Sequence, residues 1–231
     1  MSKKINYAAI NNGTIDTINS FLYATSGVMK DAIDLAKATL LTADSAREAL
    51  LAERDTRKQS LILEGMLTAD AITQSVNEFA DRLNQANSAL TEAENALATL
   101  QEKKRNAYNK GLTVIPDSVY DAYKSSARKV DVTAYINATT EMLAGFGLSA
   151  TEVQTAKLAD LLSRWAGGLK KATGKKAEEG HRKAEQVKRT LKASMLDALV
   201  EYLVWEAKSF RYNADKTGIV LYTGEDKQEQ A

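Results

Sequence analysis

Ile72–Ala107, ITQSVNEFADRLNQANSALTEAENALATLQEKKRNA, is the stretch that decides the fold. Its apolar positions are Ile72, Val76, Phe79, Leu83, Ala86, Leu90, Ala93, Leu97 and Leu100, and the same spacing continues through Lys104 to Ala107. The steps alternate between four and three. That is the period of a helix burying a narrow stripe against another helix, sustained long enough for a coiled-coil seam. The positions between are polar (Asn77, Glu78, Asp81, Arg82, Asn84, Gln85), as a solvated flank requires. At ~1.5 Å per residue such a helix is roughly 55 Å long.

Upstream, Ile15, Ile18, Leu22, Thr25, Met29, Ala32, Ala36, Thr39, Ala43, Ala46 and Leu50 follow a similar spacing, widened by Ile33 and Leu40. Beyond Leu51 the seam turns charged at Arg54, Arg57 and Lys58, and Leu61, Ile62 and Leu63 then restore apolar character. Gly65 interrupts, and Thr68-Ala69-Asp70 supplies residues that cap a helix start. Two seams joined by a short connection fold back on each other most simply. The expectation is an antiparallel coiled-coil helical hairpin over residues 14–110, after an N-terminal extension at 1–13. A parallel pairing between chains satisfies the same heptads.

Downstream, Lys103-Lys104-Arg105 suits the negative end of a helix dipole, and Gly111 marks the expected end of the helix. Ile115-Pro116-Asp117 opens a short helix with Val119, Tyr120 and Tyr123. Another runs from Asp131 to Gly145-Phe146-Gly147, with Val132, Tyr135, Ile136, Met142 and Leu143 on its apolar side. Ser149-Ala150-Thr151-Glu152 reads as a capping box for a helix carrying Val153, Leu158, Leu161, Leu162 and Trp165. A last helix runs to about Lys208, with Val187, Leu191, Met195, Leu199, Tyr202, Leu203 and Trp205 as its apolar face. Phe210 and Tyr212, a polar turn, and Ile219–Tyr222 form a short β-hairpin, which needs a surface to pack against. Residues 111–224 are thus a small helical domain ending in a β-hairpin, and 225–231 a disordered polar tail. The fold class is mainly α.

Composition agrees. The chain has a single proline among 231 residues, and aromatics are 6%, which fits long helices and narrow seams. Cysteine is absent, so disulfides and thiolate metal sites are excluded. The N-terminal stretch Met1–Tyr7 leads into Asn11-Asn12-Gly13 where a signal peptide needs apolar residues, and no run reaches the ~20 apolar residues of a membrane span. The expected location is the cytoplasm, or a particle assembled there.

Charge is nearly balanced at +1 but unevenly placed: residues 164–192 hold 10 basic and 3 acidic side chains. Lys170, Lys171, Lys175, Lys176, Arg182, Lys183, Lys188, Arg189 and Lys192 are therefore the candidate contacts for a nucleic-acid backbone or an acidic partner. No interleaved aromatic platform or nucleic-acid motif accompanies them. Gly167–Lys176 departs from a phosphate loop, since five residues separate Gly168 from Gly174 and Lys176 stands where Ser or Thr is required. His181, the only histidine, lacks a convergent carboxylate and nucleophile. The pattern calls for no catalytic residues, no metal, no cofactor and no small-molecule substrate.

The expected function is non-enzymatic: a structural or assembly protein of bacteriophage or bacterial accessory type, acting through helix–helix association. Its expected partner is a second copy or a helical protein, with Ile72, Val76, Phe79, Leu83, Leu90, Leu97 and Leu100 as the seam. The alternative is a nucleic-acid-binding accessory protein using 164–192. Nothing points to a membrane partner.

Overall fold

The computed structural model describes residues 12–126, 132–145, 158–160, 181–206 and 210–221. They are mostly helical, with one small sheet. In chain order the elements are α1 (Asn12–Thr25), α2 (Gly27–Leu63), α3 (Thr68–Leu112), α4 (Asp117–Ser126), α5 (Val132–Gly145) and α6 (His181–Glu201). A π-helical segment (Tyr202–Glu206) follows α6, and then come β1 (Phe210–Tyr212) and β2 (Ile219–Leu221). The chain divides into two compact units. One is Gly27–Arg105, and the other combines Met1–Ser26 with Asn106–Ala231.

In the Gly27–Arg105 unit, α2 ends where Gly65 adopts φ 96°. The Gly65 amide donates to the Ile62 carbonyl at 3.1 Å and the Met66 amide to the Leu61 carbonyl at 3.1 Å. This pairing satisfies carbonyls the helix end would leave orphaned, and it favours glycine because an L side chain rarely adopts that φ. Thr68 then starts α3.

Three polar pairs join α2 to α3: Arg47 donates to Asn87 at 2.9 Å, Glu53 pairs with Arg82 at 2.9 Å, and Arg57 with Glu78 at 3.0 Å. Partners on α3 step backward as those on α2 step forward, so the two helices run antiparallel. On α2 the less exposed positions include Met29, Ile33, Ala36, Leu40, Ala43, Arg47, Leu50, Arg54, Arg57 and Leu61, with Ala32, Asp44, Leu51, Lys58 and Ser60 half-buried beside them. Expected seam positions Thr39 and Ala46 are exposed instead, while Ile33 and Leu40 lie on the covered stripe. The charged stretch past Leu51 stays on this stripe because long side-chain stems cover apolar surface while their heads find carboxylates, Arg57 at Glu78 of α3, and Arg54 and Lys58 at Asp55 of α2 itself.

On α3, Phe79, Leu83, Ala86, Leu90, Ala93, Leu97, Leu100, Lys104 and Ala107 are all covered at least in part. The first turns differ. Ile72 and Val76 are 46% and 45% exposed, and Ala71 and Ser75 take the buried positions. Steps of four run from Ala71 through Ser75 and Phe79 to Leu83 before the heptad alternation resumes. A helix of 3.6 residues per turn drifts against a strict heptad, so the apolar letters at 72 and 76 mislead by one position.

The second unit is built differently. The upstream seam is broken at Ser26, and α1 lies in this unit, with Ile18 and Phe21 1% exposed. Its core combines them with Leu112, Val114 and Ile115, with Val119, Tyr120 and Tyr123 of α4, and with Tyr135, Met142 and Leu143 of α5. Leu191, Met195, Leu196 and Leu199 of α6 complete it, with Tyr202, Leu203, Phe210 and Ile219. Leu158 and Ala159 are buried in the same core. Aromatic rings meet here, Phe21 with Tyr108 at 5.3 Å and Tyr123 with Tyr135 at 5.8 Å. Phe79 is the sole aromatic of residues 27–105, so the low average conceals a strong partition.

Gly111 does not end α3, which continues to Leu112. The helix instead needs glycine there because Phe21 of α1 lies against its backbone: a Cβ at 111 would overlap that of Phe21 and sit 2.9 Å from its Cγ and Cδ2. The two strands pair antiparallel, with Phe210 opposite Leu221, Arg211 opposite Val220 and Tyr212 opposite Ile219. Their turn is held by Asn213, whose backbone N–H donates to the Gly218 carbonyl and whose side-chain Oδ1 accepts from the Gly218 N–H, both at 3.0 Å. The expected capping box at 149–152 and the polar tail lie outside the described residues.

Candidate functional site

The basic segment contributes three described side chains, Lys188, Arg189 and Lys192, all on α6. They line a cleft of about 380 Å³ with Asn109, Leu112, Thr113, Asp117 and Glu185. The i, i+4 spacing of Lys188 and Lys192 sets both ammonium groups on one face. Both reach Asp117, which opens α4: Lys188 Nζ lies 3.1 Å from its Oδ1, and Lys192 bonds the same oxygen. Lys188 also sits 5.5 Å above the Tyr120 ring. Arg189, in the same cleft, donates to the Asn109 side chain.

Hydrogen bonds from Lys192 and then Lys188 hold the Asp117 carboxyl below its ordinary value, and the Asp117 bond raises Lys188. The Lys192 side chain is only 12% exposed, so much of its charge already serves the carboxylate beside it. The chemistry of this group is that of a clamp between α6 and α4. Among the described residues, Arg189 is bonded to a neutral amide and is the cation of the three that pairs with no carboxylate. Lys170, Lys171, Lys175 and Lys176 lie outside the described residues. Arg182 and Lys183 fall in the first turn of α6, with side chains outside the described set.

Of the seam residues, Phe79 is buried, Leu83, Leu90, Leu97 and Leu100 are half-buried, and Ile72 and Val76 are exposed. Among the described residues, no group of three or more His, Cys, Asp or Glu side chains is placed to hold a metal, and no helix is long and apolar enough to cross a membrane.

Sequence reading missed two features. Asp117 was legible only as a helix opener, because its lysine partners lie some seventy residues away in the chain. The second is a cleft formed by Leu22, Asp197, Val200, Glu201, Trp205 and Tyr212. The spacing of Asp197, Glu201 and Trp205 at i, i+4 and i+8 was its one visible signal. Trp205 departs from the expected apolar face: it is 66% exposed, because the π-helical segment changes the turn just where a buried position was expected.

Comparison with known proteins finds no match: no family model, no curated protein and no solved structure is significantly similar to the chain.

Proposed function

We propose that this chain is a non-enzymatic structural or assembly protein in which residues 27–105 form an antiparallel coiled-coil hairpin that associates with a second copy. The observation that carries the reading is the exposed apolar surface of that unit. Leu35, Leu41, Leu63 and Leu67 are 70%, 68%, 87% and 74% exposed, and Ile72 and Val76 join them. The heptad stripes of α2 and α3, with their polar cross-pairs, already account for the side each helix turns to the other. Large apolar side chains left exposed on so thin a body support the reading that a partner covers them. A further helix pair packing there would bury it in the manner of a four-helix bundle.

The test is the mass of the full chain by light scattering across a concentration series. A mass above the monomer is expected, falling to the monomer when Leu35 and Leu41 are both changed to Ser. A chain that stays monomeric throughout would sink self-association. Short bis-maleimide cross-linking of a Glu53→Cys/Arg82→Cys variant, in a chain with no native cysteine, supplies the topology. A bridge within one chain supports the hairpin, and a bridge only between chains replaces it with intermolecular pairing.

The nucleic-acid alternative rests on the same basic segment as before. Its described lysines are engaged by Asp117, which leaves it resting on Arg189 and on residues outside the described set. Changing Lys170, Lys171, Lys175 and Lys176 to Glu without any effect on oligonucleotide binding would remove it.

A further inference from the structure

The cleft between α1, α6 and β1 lies apart from the proposed association surface, and its chemistry is of another kind. It has a volume of about 430 Å³. Asp197 and Glu201 stand one turn apart on α6, Trp205 follows a turn later in the π-helical segment, and Tyr212 of β1 and Leu22 of α1 close the walls. All six lining residues belong to one compact unit.

Three observations bear on what fits there. Asp197 is partly buried, yet its carboxylate makes no hydrogen bond or ion pair among the described residues. Partly burying a carboxylate is costly, and a cation placed beside it would offset that cost. Trp205 is a largely exposed aromatic residue that lines the same cleft as Tyr212. Finally, the Tyr212 hydroxyl is pushed up by burial and then by the charges of Asp197 and Glu201, which sets both carboxylates near that ring. Aromatic faces attract cations through their quadrupole, carboxylates attract them directly, and an apolar wall accommodates a methylene stem.

We propose that this cleft binds an organic cation, the ammonium or guanidinium end of a lysine or arginine side chain presented by a partner protein. The proposal does not depend on the association of residues 27–105. In it, Asp197 and Glu201 neutralise the charge, Trp205 and Tyr212 stack on the cation or its stem, and Leu22 and Val200 supply apolar lining. Burial raises the Asp197 carboxyl to about 6, so binding strengthens as pH rises through that value. The groups facing Asp197 are Glu201 on its own helix, Tyr108 of α3 and Tyr212 of β1; α1 adds only Leu22 to the lining. Both tyrosines titrate far above this range, which leaves the two carboxylates to set the profile.

The test is fluorescence anisotropy of a fluorescein-labelled hexapeptide carrying two arginines, alongside the same peptide with citrulline in their place. Measurements on the full chain at pH 7.5 and 5 accompany the pair. Expected are saturable binding of the arginine peptide, at least tenfold weaker binding of the citrulline peptide, and weakening at pH 5. Asp197→Asn and Trp205→Ala should each weaken binding about tenfold with helical circular dichroism unchanged, and Glu201→Gln provides a second carboxylate variant if either fails to fold. Equal binding of both peptides, no binding of either, or wild-type affinity in the folded variants would overturn the proposal. Displacement of the peptide by equimolar agmatine would overturn the protein side chain as the source and assign the cleft to small free amines.

Discussion

The carboxamide of Asn19 closes the backbone of Ile219, two hundred residues along the chain: its Nδ2 donates to the Ile219 carbonyl at 3.1 Å, and its Oδ1 accepts from the Ile219 amide at 2.7 Å. A side-chain amide here does what a neighbouring strand would do. A two-stranded hairpin is marginal alone. This pair ties β2 to α1 and occupies hydrogen-bonding groups that an exposed strand edge would offer to another chain.

Asn19→Ala should therefore lower stability by about 1–3 kcal/mol, the cost of leaving partly buried backbone groups unpaired. Urea unfolding followed by circular dichroism measures it. An unchanged midpoint would mean that water replaces the amide at no cost.

Gly111→Ala is expected to destabilise, although alanine is the better helix former by about 1 kcal/mol. The clash with Phe21 has no flexible end to yield, since its Cβ, Cγ and Cδ2 are the atoms met. A net loss of about 1–3 kcal/mol is expected for such overpacking. In a Phe21→Gly background, which removes the Cβ as well as the ring, the same change should cost much less, so a double-mutant cycle that shows additivity would refute the contact.

The register of α3 makes opposite predictions for neighbouring apolar residues. Ile72→Ser and Val76→Ser should each move the thermal midpoint little, within about 0.5 kcal/mol for exposed sites. Phe79→Ala, at a position 9% exposed, should cost about 3 kcal/mol. Equal losses at 72 and 79 at concentrations where the chain is monomeric would restore the strict heptad.

Asp197 gives a pH signature. Its carboxyl is raised to about 6 by burial, against about 3.9 in an unfolded chain. Between those values the folded state holds a proton the unfolded state has released, so this residue's contribution declines as pH rises from about 4 to 6 and then levels. Asp197→Asn should be more stable than the natural chain at pH 7, by at most roughly 3 kcal/mol at 1.36 kcal/mol per unit. The two should converge near pH 4. A pH-independent difference in unfolding free energy would contradict this, and a gain in stability with a loss of cation binding would mark Asp197 as a residue kept for function.

Local pattern alone placed the helices of residues 27–105, because a narrow stripe repeats at every turn and Gly65 punctuates it. The same local logic placed β1 and β2, where branched and aromatic residues flank a polar turn. The position of those elements along the chain is written mostly in near neighbours, so a one-dimensional reading reaches it.

What the sequence could not decide was which surface each helix spends its apolar residues on. Ile15, Ile18 and Leu22 continue the periodicity of α2, yet only tertiary packing reveals that the chain breaks at Ser26 and that Ile18 and Phe21 enter another core. Ile72 and Val76 have the right letters, but in the folded unit Ala71 and Ser75 take the buried positions. Lys188 and Lys192 read as free charge until folding brings Asp117 to them, and Asp197 reads as an ordinary surface acid until Leu22, Trp205 and Tyr212 surround it. Periodicity is set by the geometry of one helix, whereas pairing, burial and pKa are set by whatever the rest of the chain brings within a few ångströms.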